Sequence, residues 1–331
     1  MRIGIIGAGA LGGMLAVLLD RAGHDVVATA RGEQLAAIRA DGLRLEGAYG
    51  SASARFTAAE ALPEAPDLAI LAVKAQDAPA AAAQNASALD GVPLVIVQNG
   101  VAGPQSLAAT LPSTPTIGAA SMIAASYLRP GTVTVTAAGV TVLAPGTASA
   151  VQVRAAGDVL GAVVEVRIAD DLAGLQWSKL VVNQLNAAPA VTGLSLQEAI
   201  ASGPLTAAIA AAMRETIRVA HADGVRLAGL PALPPALVRT LDRLPLPFAA
   251  VALRRGVLAR MGDVPNPGST LQSIRRGRPT EIDHLSGAVV ATGARMGVPT
   301  PVNRRIVEVV REVAATGRFL SPDDAARRLR S

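Results

Sequence analysis

One local pattern near the start of the chain constrains it more than any other. Residues 2 to 6, Arg-Ile-Gly-Ile-Ile, form a short apolar run that leads through Gly7, Ala8, Gly9, Ala10, Leu11 and Gly12 into an alanine- and leucine-rich stretch. A G-x-G-x-x-G placed between a strand and a helix is the turn of a dinucleotide-binding βαβ unit. The first glycine allows the tight turn, the second lets backbone amides approach a pyrophosphate, and the third lets the helix lie close on the strand. Residues 7 to 12 are therefore the candidate phosphate cradle, with the helix N-terminus supplying unpaired N–H groups and the positive end of its dipole.

Further apolar, β-rich runs follow at 25–30, 68–73, 93–97 and 116–120, separated by alanine-rich helical stretches. That alternation predicts a parallel sheet built from βαβ units. Runs at 132–136 and 140–143, on either side of Gly139, read as an antiparallel hairpin at the edge of the same sheet. From Asp170 onward the apolar period becomes helical, at 172–182, 205–222, 237–241, 280–294 and 302–315, with a proline-rich loop or broken helix over 231–247. The expected fold class is α/β, with an N-terminal Rossmann-type doubly wound sheet over 1–168 and an all-helical C-terminal domain over 169–331. A length of 331 residues suits two domains.

Composition removes several function classes. The chain has no cysteine, which excludes disulfides, thiolate nucleophiles and zinc–thiolate sites, and its three histidines do not sit at metal-ligand spacing. The net charge of +5 accompanies scattered arginines and only 2 % aromatic residues, so no nucleic-acid partner is expected. The first nineteen residues have too thin a basic start for an export signal. The uncharged stretch 98–128 contains Pro104, Pro112 and Pro115, which argues against a membrane span. A cytoplasmic protein is expected. Of thirty basic residues only Lys74 and Lys179 are lysine. In a chain that uses arginine so freely, these two positions stand out, because an ammonium can release a proton near neutral pH and a guanidinium cannot.

Candidate functional residues lie where the pattern brings strands and helices to an end. Arg31 stands at the end of the second strand, where an NAD-preferring enzyme carries a carboxylate, and its guanidinium suits a ribose 2′-phosphate, so NADPH is the expected cofactor. Lys74 and Asn99 follow the strands at 68–73 and 93–97, at the carboxyl edge of the sheet where ligands of such folds bind. Lys179, Asn183 and Asn186 are spaced i, i+4, i+7, which puts an ammonium and two amides on one face of an otherwise apolar helix. Ser269 and Thr280 are read as helix caps, with Glu281 and Asp283 in the first turn after Thr280.

Taken together, the glycine-rich start with Arg31, the Val-Lys74-Ala turn, Gln98-Asn99-Gly100, Trp177-x-Lys179-Leu180-x-x-Asn183, and Ser269 with Arg278-Pro279-Thr280-Glu281-Ile282-Asp283 resemble the ketopantoate reductase family over nearly the whole chain. The resemblance implies NADPH-dependent reduction of 2-dehydropantoate to pantoate. It makes Lys179 the general acid, with Glu281 and Asn183 binding and orienting the substrate and Ser269 holding its carboxylate. It places Asn99 between cofactor and substrate and Lys74 beside the nicotinamide. The chain departs from some members in having Asn186 followed by Ala187, Ala188 and Pro189. The expected partner is thus a small 2-oxo acid, and a homodimer is left open. Two other readings stand beside this one: a related NADPH-dependent reductase of another 2-oxo acid or an imine, and a non-catalytic NADPH-binding sensor or scaffold.

Overall fold

The structure is a computed structural model that describes residues 1–101, 103–259 and 265–330. It divides into two compact units, Met1–Leu172 and Ala173–Ser331.

Among the described residues every strand lies in the first unit: β1 (Arg2–Ile6), β2 (Asp25–Thr29), β3 (Leu43–Gly47), β4 (Ala52–Ala54), β5 (Thr57–Ala59), β6 (Leu68–Leu71), β7 (Leu94–Val97), β8 (Thr116–Ser121), β9 (Ala124–Arg129), β10 (Thr132–Ala137), β11 (Thr141–Pro145) and β12 (Val166–Ile168). Eight of them form a sheet in the order β12-β11-β8-β7-β6-β1-β2-β5, and β4-β3-β10-β9 form a second sheet of four. The strands β6 and β7 are buried at every position. A strand covered on both faces reads as an unbroken apolar run, and Leu-Ala-Ile-Leu and Leu-Val-Ile-Val do so.

The Ala10–Arg21 helix is buried from Gly12 through Leu19, because it has a sheet on two sides. Its Met14, Leu15 and Val17 share one core with Ile3 and Ile5 of β1 and with Leu43, Leu45, Val133 and Val135 of the smaller sheet. Each such side chain withdrawn from water contributes about 1.5–3 kcal/mol. The strand order reverses at β1: the chain runs outward through β2 and then returns to place β6 on the other side. That reversal is the switch point whose carboxyl edge forms a ligand crevice in doubly wound folds.

The expected hairpin is not there. β10 belongs to the smaller sheet, antiparallel to β9 and parallel to β3, whereas β11 runs antiparallel to β8 in the large sheet. Gly139 marks a crossing between sheets instead of a turn: a Cβ there would lie 2.7 Å from the backbone of Met122. The actual hairpin joins β9 to β10 through Gly131, whose φ of 74° suits a glycine turn.

Beyond Leu172 the described residues form helices, apart from an isolated bridge between Leu230 and Leu233. The long Gly203–Ala222 helix buries Ala208, Ile209, Ala212, Met213 and Ile217 at the centre of the second unit. The proline-rich stretch is a broken helix, Pro235–Arg243 followed by Leu246–Leu258. The helix expected at 280–294 begins later: a 3-10 turn covers Ile282–His284, and the α-helix runs Ser286–Met296. Thr280 is therefore not its cap, and Glu281 and Asp283 do not lie in its first turn. Asp283 instead pairs with Arg311 at 2.7 Å. Nor does Ser269 cap a helix; it is the exposed second residue of Gly268–Arg275, which begins after Pro267.

Candidate active site

In the first unit the candidate cofactor residues gather at the carboxyl edge of β1, β2, β6 and β7. Gly7 has φ 99°, and a Cβ on it would meet Val73 Cγ1 at 2.5 Å. A Cβ on Gly12 would stand 2.1 Å from the Gly7 carbonyl oxygen, so the helix can approach the turn only without a side chain there. Gly9 differs, because a Cβ on it meets nothing within 4 Å. The protein leaves that space open, and it is where the backbone would receive a phosphate. No side chain caps the Ala10–Arg21 helix, so the N–H groups of Ala10, Leu11 and Gly12 lack the partner that a cap would give. Open space in front of Gly9 and an uncapped, positively polarised helix end fit a dinucleotide pyrophosphate.

Thr29 ties the edge together: its carbonyl accepts from Ala8 N–H at 2.8 Å and its hydroxyl from Gly7 N–H at 3.0 Å. Two residues on, Arg31 is exposed, with extended backbone at the N-cap of the Gly32–Asp41 helix. Lys74 is half-buried, at the start of the 3-10 turn Ala75–Asp77. Gln98 Nε2 donates to the Val73 carbonyl at 3.1 Å and so links the ends of β7 and β6 beside Asn99, which is itself half-buried before Gly100 at φ 91°.

In the second unit Lys179 lies on the Leu172–Asn183 helix between the buried Ser178 and Leu180. The residue is partly exposed, yet protein surrounds its amine closely enough that lost hydration lowers its pKa from 10.5 to about 8. Asn183 is buried and ends the helix. The expected i, i+4, i+7 stripe is not one α-helical face, since residues Gln184–Asn186 form a 3-10 turn. In that geometry residues three apart eclipse, so Asn186 follows Asn183 on the same side. A Cβ on Gly268 would lie 2.8 Å from Asn186 Oδ1, which brings the start of the Ser269 helix against this turn. Ser286 Oγ donates to Gln184 Oε1 at 2.9 Å between two buried side chains, and this bond ties the segment after Glu281 to the residue after Asn183. Glu281 is half-buried just before the Ile282–His284 turn.

The sequence did not single out Gln184 and Ser286, because a polar pair 102 residues apart has no periodic signature. A cleft of about 460 Å3 in the second unit is lined by His221, Arg226, Arg239 and Arg243 among others, and none of the candidate site residues lines it.

Comparison with known proteins agrees in both halves. The family Ketopantoate reductase PanE/ApbA matches residues 3–147, and Ketopantoate reductase PanE/ApbA C terminal matches residues 171–314. A curated 2-dehydropantoate 2-reductase of Mesorhizobium japonicum is 30 % identical, over 95 % of this chain and 98 % of its own. A solved PanE/ApbA family ketopantoate reductase from Ralstonia eutropha JMP134 is 28 % identical, with TM-score 0.79, covering 95 % of this chain and 99 % of its own. The ternary structure of D-mandelate dehydrogenase with NADH and anilino(oxo)acetate shares the fold, with TM-score 0.79 at 20 % identity, over 97 % of this chain and 100 % of its own.

Proposed function

The chain belongs to the ketopantoate reductase family, and on that premise we propose that it reduces 2-dehydropantoate to pantoate with NADPH, a cytoplasmic step of pantothenate biosynthesis. The observation that carries the reading is the Lys179 amine, whose burial brings its pKa to about 8. A group with that pKa is charged at neutral pH and can still give up its proton.

In this reading the uncapped N-terminus of the Ala10–Arg21 helix and the open face of Gly9 hold the pyrophosphate, and Arg31 pairs with the 2′-phosphate. Asn99 and Lys74 line the nicotinamide end. When bound, NADPH supplies a hydride to the ketone carbon. The Lys179 ammonium donates its proton to the ketone oxygen as that oxygen gains negative charge, so the product leaves as an alcohol and the amine is reprotonated from water. Asn183 and Glu281 orient the 2-oxo acid, Ser269 holds its carboxylate, and Asn186 lines the same side of the segment as Asn183.

A second reading, reduction of another 2-oxo acid, is favoured by the Asn186 position, where the carboxamide packs against Gly268. NADPH oxidation followed at 340 nm with ketopantoate and close analogues separates the two. The proposal predicts the highest kcat/KM for ketopantoate, and a tenfold preference for an analogue would replace it. Arg31→Asp should weaken NADPH far more than NADH. Equal weakening of both would remove Arg31 from the 2′-phosphate.

A further inference from the structure

Gln34, only 7 % exposed, is the third residue beyond Arg31 and lies in the Gly32–Asp41 helix. Its side chain spans two distant parts of the first unit. Gln34 Nε2 donates to the Ala8 carbonyl at 2.7 Å, and Gln34 Oε1 accepts from the Gly131 N–H at 2.8 Å. The pair fixes the amide orientation, because exchanging nitrogen and oxygen would set donor against donor and acceptor against acceptor.

Ala8 is the middle of the phosphate turn. Its N–H donates to the Thr29 carbonyl at 2.8 Å, so both of its polar backbone groups are held, one by β2 and the other by Gln34. The Ala8 carbonyl and the Gly9 N–H belong to one planar peptide unit, so holding the first sets the direction of the second. Gly9 N–H in turn donates to the Gly7 carbonyl at 2.9 Å, which closes the turn on itself. The glycines that make this turn permissive also give it freedom to lose, and Gln34 removes that freedom before a ligand arrives.

We infer that Gln34 is a positioning residue for the dinucleotide: it pins the phosphate turn at Ala8 to the helix that begins after Arg31 and to the β9–β10 turn at Gly131, so that the cradle is preorganised. The inference rests on the NADPH reading above. Gln34 bonds to the turn at Ala8, so its effect falls on the pyrophosphate common to NADPH and NADH.

The test is binding without substrate, by titration calorimetry with NADPH and with NADH, alongside steady-state kinetics and hydrogen exchange of the unliganded protein. Gln34→Leu leaves the buried Ala8 carbonyl and the half-buried Gly131 N–H without their partner, and should raise the Kd of both dinucleotides about tenfold. Its kcat at saturating NADPH should stay within twofold of wild type, while the Ala8 to Gly12 amides exchange faster. Gln34→Glu keeps the acceptor for Gly131 but donates to Ala8 only when protonated. Its Kd should therefore move toward the wild-type value as pH falls from about 8 to about 5. If Gln34→Leu does not fold, the Gln34→Glu pH series decides. Unchanged Kd in the variants, or a loss confined to NADPH, overturns the inference and leaves the NADPH reading standing. A wild type that binds neither dinucleotide overturns both.

Discussion

A methyl group at Gly12 would lie 2.1 Å from the Gly7 carbonyl oxygen, and one at Gly7 would lie 2.5 Å from Val73 Cγ1, whereas one at Gly9 would touch no protein atom within 4 Å. The first two glycines are thus required by packing and the third by what the turn receives. Gly12→Ala should destabilise the protein by about 1–3 kcal/mol, since backbone must move to admit the methyl. Gly9→Ala, at φ −82°, should keep the melting temperature within about 2 °C and yet lose NADPH affinity by tenfold or more. A Gly9→Ala protein with wild-type affinity would mean that no phosphate lies against this residue. Much at this scale was legible in the sequence, because the motif fixes the spacing of the glycines and the strand fixes their context. Gln34 was not, since its two partners lie 26 and 97 residues away and a buried amide has no periodicity to betray it.

Elements follow their own patterns until a partner from elsewhere changes them. The runs at 132–136 and 140–143 are strands as expected, but Gly139 serves close passage by Met122 instead of a hairpin turn, and the two strands enter different sheets. The strands β3, β4, β5, β9 and β12 were not singled out at all. Only β3, with its alternating Leu43, Arg44, Leu45 and Glu46, carried a signal that could have found it.

Helix starts were similarly hidden. The Pro301–Thr316 helix has no side-chain cap of its own. Its first N–H groups, at Val302 and Asn303, donate to the two carboxylate oxygens of Glu215 at 2.9 Å each, and Asn303 Nδ2 adds a third bond at 2.8 Å. Burial raises the Glu215 pKa against the opposing effect of those bonds. Glu215→Ala should cost about 2 kcal/mol in denaturant unfolding, and Glu215→Gln, which keeps one acceptor, should cost less. A raised carboxyl pKa means that its ionisation penalty is present above the folded-state pKa and absent below the unfolded value of 4.5. The wild type should therefore lose less stability on mild acidification than a Glu215→Gln protein does. Identical pH dependence of the two would contradict the assignment.

Over the whole molecule, the chain divides into two compact units at Leu172, and the hydrophobic period of the sequence turns from strand-like to helical near residue 170. What the sequence could not announce is the state of the Lys179 amine. Spacing put Lys179 on an apolar helix, but only the surrounding protein lowers its pKa to about 8. The scarcity of lysine in an arginine-rich chain was the one hint, and it concerned which residue could transfer a proton rather than where that proton would go. Turnover of the Lys179→Arg protein across pH, with saturating ketopantoate and NADPH, tests the proton-donor role most directly. Wild-type reduction should fall as pH rises through about 8. The arginine protein should bind NADPH within twofold of wild type, turn over about 10² to 10⁴ more slowly, and show no such fall. A Lys179→Arg turnover within threefold of wild type, with the same pH break, would contradict the account.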